Sequence, residues 1–175
     1  MNKMNTFLKD KYDMKEFNHV SLSNPIPDVS TETIKGKRFY VTPEGKKYPS
    51  ITTVLSGRNS EGLVRWRQSV GNDVANNIMR TAAKRGTAVH TLVENYLNNE
   101  ELSNQDVLPT ALFTLLKPEL DNINNIRIQE GGLYSDYYGV AGRVDCIADY
   151  KGVLSVIDFK TSTKEKKEEW VENYF

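Results

Sequence analysis

Residues 153–164 read VLSVIDFKTSTK, and how this run folds decides the rest. Val153, Leu154, Val156, Ile157 and Phe159 have the composition of a strand covered on both faces. Side chains alternate along a strand, so Leu154, Val156, Asp158 and Lys160 fall on one face. That face begins apolar and ends with an acid and a base side by side. An unpaired buried charge is costly, so the pair needs partners or a metal. Two readings stay open at this point: a salt bridge at a strand end, or half of a metal site.

Working outward, GRVDCIADY (142–150) reads as the preceding strand, with Arg143, Asp145, Ile147 and Asp149 on one face and Val144, Cys146 and Ala148 on the other. A two-residue Lys151-Gly152 loop would set Asp145 opposite Asp158. Opposed β-carbons lie ~5 Å apart, a spacing at which two carboxylates grip one cation. Without a cation they repel, and one would have to hold a proton. Before these strands, KRGTAVHTLVENYL (84–97) reads as a helix, with Val89, Val93, Tyr96 and Leu97 as its apolar stripe. His90 and Glu94 share a face of it. Such a pair is a common surface feature, and half of a zinc helix has the same spacing. The other histidine, His19, stands far away in sequence, so oxygen-rich ligands with one imidazole favour Mg2+ or Mn2+ over zinc.

The remaining chain supplies a helical middle and a polar start. KRFYVTPEGKKYPS (37–50) reads as a β-hairpin with its turn at TPEG. Ser50 reads as the N-cap of ITTVLSG, a helix that Gly57 ends. Residues 61–83 are helical in pattern, with Gly71 a break, and a separate helix runs from about Gly86 to Leu97. Another helix is expected over 109–124, then strands over 126–135, 140–150 and 152–162, and a last helix from near Lys164. Pro25 and Pro27 make residues 1–36 an arm followed by a loop. The expected division is therefore an N-terminal arm over 1–36 and a core over 37–175. The expected fold class is α/β (α+β), a mixed β-sheet flanked by helices.

Composition narrows the function classes. The chain has 175 residues, enough for one domain with a real core. Hydrophobic residues make up 38% and charged residues 26%, in keeping with a globular protein, and no run approaches the ~20 apolar residues of a membrane span. The first residues, MNKMNTFLKDKYDMKEF, lack the apolar centre of a signal peptide. A single cysteine, Cys146, excludes an internal disulfide framework and fits a reducing compartment. With 23 basic and 23 acidic residues, any nucleic-acid contact must rest on local clusters such as Arg65/Arg67 or Arg80/Lys84/Arg85. Such clusters equally describe solvated faces.

GRVD followed by VIDFKTS resembles the core of the PD-(D/E)xK nucleases, with an acid on one strand and an acid-x-Lys on the next. RGTAVH resembles the Gly-x-x-x-His motif of the RecB-like branch. YPSITTVL, then LVRWRQ, then RGTAVHTLVENYL is similar to the order found in mitochondrial genome maintenance exonucleases and their phage relatives. The resemblance covers about 37–175 and implies a restriction-endonuclease-like fold. It implies a metal-dependent DNA exonuclease acting on single strands or ends, in the cytoplasm of a bacterium or phage-infected cell. It makes His90, Asp145 and Asp158 the ligands of Mg2+ or Mn2+, with the carbonyl of Phe159 and Glu94 as further candidates, and Lys160 the residue serving water and phosphate. Asp145, Asp158 and Lys160 are thus the expected catalytic set. Glu130 corresponds to an acid on the first strand of RecB-like proteins.

A DNA-enclosing helical region would span 50–84. Its expected contacts are Ser50, Thr52, Arg65, Trp66, Arg67, Lys84 and Arg85, with Thr161 and Ser162 after the third motif. Trp66 between two arginines has the neighbours of a base-stacking aromatic, and it also shares a core-like stripe with Leu63 and Val70. The family continues with a Gln-x-x-x-Tyr helix, whereas this sequence ends at EEWVENYF. That departure leaves alternatives: an accessory fragment needing a second polypeptide for that motif, or a structure-specific endonuclease.

Overall fold

Tight turns at glycines organise both sheets. The computed structural model describes residues 15–27, 29–56, 60–102 and 106–162. Strand β1 (Ser30–Ile34) turns at Lys35-Gly36, with φ of 49° and 76°, into β2 (Lys37–Val41). Both central residues of a two-residue type I′ hairpin need positive φ, and the turn fits that requirement. β3 (Lys47–Pro49) pairs back on β2, Tyr40 opposite Tyr48, and the loop between them closes with Gly45 N donating to Thr42 O at 2.8 Å. The hairpin expected over 37–50 is present. β1 is a strand where the sequence suggested a loop, because STETI carries no apolar alternation and joins the sheet by its backbone.

The second sheet is β4 (Ile123–Ser135), β5 (Val140–Tyr150) and β6 (Val153–Ile157), paired in that order. Lys151 and Gly152, with φ of 50° and 82°, form the expected two-residue loop, and Tyr150 lies opposite Val153. Where one mixed sheet was expected, the fold is α+β with two antiparallel three-stranded sheets among the described residues. Short hairpins can join only antiparallel neighbours. Among the described residues, parallel pairing is confined to isolated bridges at His19/Ile126 and Ser50/Ala141. Gly131 and Gly132 let the N-terminal segment cross β4. A β-carbon on Gly132 would stand 2.0 Å from Val29 Cγ2, and one on Gly131 3.2 Å from Ile26 Cδ1.

Four helices complete the described architecture: α1 (Ile51–Ser56), α2 (Ser60–Val70), α3 (Asn72–Leu97) and α4 (Val107–Leu120). Ser50 caps α1, its Oγ accepting from Thr53 N at 3.1 Å. Gly71, at φ 85°, separates α2 from α3 as expected. No break occurs at Gly86: α3 is one 26-residue helix. An interior glycine costs only about 1 kcal/mol, which the packing of the following turns outweighs. Val89, Leu92, Val93, Tyr96 and Leu97 bury that half of α3 against Cys146 and Ala148 of β5 and Phe113 of α4. α4 stops at Leu120, earlier than expected, and β4 begins at Ile123. β6 also departs from expectation. Val153, Leu154 and Val156 are 66%, 62% and 71% exposed: among the described residues β6 is a sheet edge, its Leu154/Val156 face is open, and on the other face Ile157 reaches the core. The helix expected from Lys164 and the helix end expected at Gly57 lie outside the described residues. Among the described residues no helix is long and apolar enough to cross a membrane.

Candidate metal centre

Three elements meet at one end of the β5–β6 ladder. The last registered pair is Cys146 with Ile157. One position on, the Asp145 carboxylate accepts from Phe159 N at 2.8 Å and closes the end of the ladder. On the other side of β5, the pairs Gln129/Cys146 and Gly131/Val144 bracket Glu130, which places it across from Asp145. Glu130 has φ 47°, in the left-handed region that side chains other than glycine rarely adopt. Such strain persists only where the surroundings fix it, and it concentrates at functional sites. The buried half of α3 supplies His90, whose Nε2 lies 2.7 Å from Phe159 O.

That contact sets the histidine's chemistry. A carbonyl can only accept, so Nε2 carries the hydrogen, and in the neutral ring Nδ1 holds the free lone pair. Nδ1 lies 3.8 Å from Glu130 Oε1 and 3.8 Å from Asp145 Oδ2. His90, Glu130 and Asp145 each offer a ligand atom, all within 4.8 Å of one another, and all three residues are half-buried. Burial, followed by the negative charges of Asp145 and Glu94, pushes the Glu130 carboxyl above the usual glutamate range, against the opposing pull of His90 and Arg143. A cation between these groups would relieve that repulsion. Two carboxylates and one imidazole braced by a backbone carbonyl fit a hard divalent ion.

The chain is similar to two curated proteins of the same name. One is "Mitochondrial genome maintenance exonuclease 1" of Homo sapiens, 27% identical over 129 residues, which is 67% of this chain and 38% of that protein. The other is the protein of the same name from Mus musculus, 26% identical over 160 residues, covering 86% of this chain and 46% of that protein. The chain is distantly related to an exonuclease-type protein. It spans less than half the length of these relatives. No family model matches it.

The remaining expected residues distribute unevenly. Asp158 and Lys160 do sit together, as a salt bridge with side chains 50% and 41% exposed, and not within the three-residue cluster. Continuing the register puts Asp158 across from Asp145, yet its carboxylate is turned to Lys160. Phe159 contributes its N–H to Asp145 and its carbonyl to His90. Glu94, one turn beyond His90, acts on Glu130 by charge and accepts from Gln129 Nε2 through its own carbonyl at 3.3 Å. Thr161 Oγ1 is the nearest atom to the face of Gly86, so the loop carrying Thr161 and Ser162 lies against α3 just after Lys84 and Arg85. Lys84 is exposed, while Arg85 is half-buried with its Nε enclosed and unbonded.

Further from the cluster, Ser50 is buried as a cap and Thr52 Oγ1 lies 3.0 Å from Ser50 Oγ. Arg65 is exposed beside Glu61, and Arg67 donates to Asn76 Oδ1 at 2.6 Å. Trp66 is half-buried and belongs to neither core cluster, and its stripe neighbour Leu63 is 46% exposed.

Glu130 is the member that motif reading named as a first-strand acid but left outside the expected ligand set. Counting back from the hairpin pair Ser135/Val140 would have put it opposite Asp145. Cys146 is fully buried in the core, and burial pushes its thiol up to about 11, which leaves it unreactive at neutral pH.

Proposed function

We propose that this chain is a metal-dependent deoxyribonuclease of the PD-(D/E)xK type, RecB-like branch, acting as an exonuclease on single-stranded DNA or DNA ends. One observation carries the reading: His90 Nδ1, Glu130 and Asp145 converge within 4.8 Å, with His90 oriented by the Phe159 carbonyl. These three residues would hold Mg2+ or Mn2+, with Asp158 extending the set from the position across from Asp145. Such an ion polarises a phosphate oxygen and lowers the pKa of bound water. Lys160, paired with Asp158, would carry the positive charge that stabilises a phosphate gaining negative charge. Asp145 has a second task, since its bond to Phe159 N fixes the carbonyl that orients His90.

Names of the distant relatives support the same activity class. DNA would run over the helical region 50–84, where Arg65 and Lys84 are exposed. With zero net charge, binding rests on few phosphate contacts and weakens with salt. The test is degradation of end-labelled linear single-stranded, linear double-stranded and circular DNA with Mg2+ or Mn2+, beside Asp145→Ala. Loss of linear strands, absent in the variant, is the expected result. No hydrolysis by the parent, or equal hydrolysis by Asp145→Ala, overturns the reading. Cutting of circles would make it an endonuclease.

A further inference from the structure

The ribbon that carries Glu130 and Asp145 ends, at its far tip, in two tyrosines that stand open among the described residues. Tyr137 and Tyr138 are 88% and 75% exposed, and their rings meet edge to face at 4.8 Å between centroids. Leaving two aromatic rings in water is unfavourable, and exposed apolar groups of this kind mark contact surfaces. The tip is also held. Gly139 N donates to Ser135 O at 2.8 Å, Tyr138 N donates to Ser135 Oγ at 3.2 Å, and Asp136 ties the loop to Lys46 at 2.9 Å and to the Tyr48 hydroxyl. A platform already fixed in shape loses little entropy on binding.

Charge links this tip to the metal centre. Asp145 lies five positions along β5 from Val140, about 17 Å on an antiparallel strand. Arg143 stands between them on the same face as Asp145, 51% exposed, its Nη1 3.8 Å from Glu130 Oε2. The sequence of groups along the ribbon is therefore carboxylates, one guanidinium, then two open aromatic faces. That order matches a single nucleic-acid strand, whose phosphate meets the cation, whose next phosphates meet Arg143, and whose bases stack on the rings. At ~3.4 Å per stacked nucleotide the span corresponds to about five nucleotides.

We propose that Tyr137 and Tyr138 form a base-stacking site for single-stranded DNA, with Arg143 as the phosphate contact between that site and the metal centre. The proposal rests on the nuclease reading and adds where the strand beyond the cleaved bond is held.

The test uses the full chain and fluorescent oligothymidylate of about 12 nucleotides, within the range of known single-strand site sizes. Binding is read by anisotropy with divalent metal chelated. Tyr137→Ala/Tyr138→Ala should weaken binding about tenfold to a hundredfold. Its melting temperature should match the parent's, because both rings lie in solvent. An abasic strand of the same length should bind the parent as weakly as the variant binds thymidylate, a signature that charge alone does not produce. In hydrolysis the variant should raise KM for the long strand and leave kcat unchanged. Equal binding of thymidylate by parent and variant overturns the stacking site while hydrolysis by the parent keeps the nuclease reading, and leaves the tyrosines as a protein-contact surface. If the parent neither binds nor hydrolyses DNA, both fall together.

Discussion

His90 donates from Nε2 to the carbonyl of Phe159 at 2.7 Å, and this bond aims Nδ1 at the carboxylates of Glu130 and Asp145. The two residues are 69 positions apart, so the bond also fastens the end of the central sheet to α3. His90→Ala should lower Mn2+ affinity at least tenfold, the lower end of what loss of even a supporting group around a metal produces. Isothermal titration of parent and variant with Mn2+ checks it.

Glu130 should make the metal-free protein less stable as pH rises. Its folded carboxyl lies above the ordinary glutamate value, through burial first and then the charges of Asp145 and Glu94. Between the unfolded value, about 4.3, and the higher folded value, the folded state holds the extra proton. The contribution is therefore whole below that window and is lost as pH rises through the folded value. Glu130→Gln stays neutral, so its metal-free melting temperature should exceed the parent's at pH 7 and converge with it near pH 4. Mn2+ should raise the parent's melting temperature and leave the variant's nearly unchanged. A thermal-shift series in pH, with and without Mn2+, measures both.

Asp149 acts in the opposite direction. Asn125 Nδ2 and Arg127 Nη1 donate to it at 2.8 and 2.7 Å, and these bonds hold its carboxyl below the usual range. Its stabilising contribution is present above the ordinary aspartate value and disappears as pH falls through the folded one. Asp149→Asn should flatten the acid limb of the melting-temperature profile.

Gly132 is the point where the N-terminal segment crosses β4. A β-carbon there would stand 2.0 Å from Val29 Cγ2 and 3.4 Å from Val29 Cβ. Valine is stiff about χ1 and cannot swing clear. Gly132→Ala should cost about 1–3 kcal/mol in urea unfolding, and Val29→Ala in the same chain should recover part of the loss.

Much of the site's surroundings was legible in the sequence, for identifiable reasons. Lys151-Gly152 is a loop with positive φ at both positions, so the register between β5 and β6 followed from counting. Alternation along GRVDCIADY separated buried Cys146 and Ala148 from Asp145. The helical spacing around His90 likewise marked the buried stripe of α3. Other features depend on distant partners. β1 has no apolar signature and exists through its ladder to β2. The continuity of α3 through Gly86 is decided by packing after that residue. β6 has the composition of a covered strand but lies at an edge, and composition cannot report a neighbour. The register shift in β4 between Asn124 and Ile128 is likewise announced by no local pattern, and Glu130 lies on the hairpin side of it, in unbroken register with Asp145.

If Asp145 belongs to a working metal centre, Mn2+ binding by parent and Asp145→Ala, read by isothermal titration in low-salt buffer, must differ. The parent should bind Mn2+ saturably, and the variant should lose at least tenfold in affinity. Binding that is absent in the parent, or unchanged by Asp145→Ala, would contradict that role for Asp145.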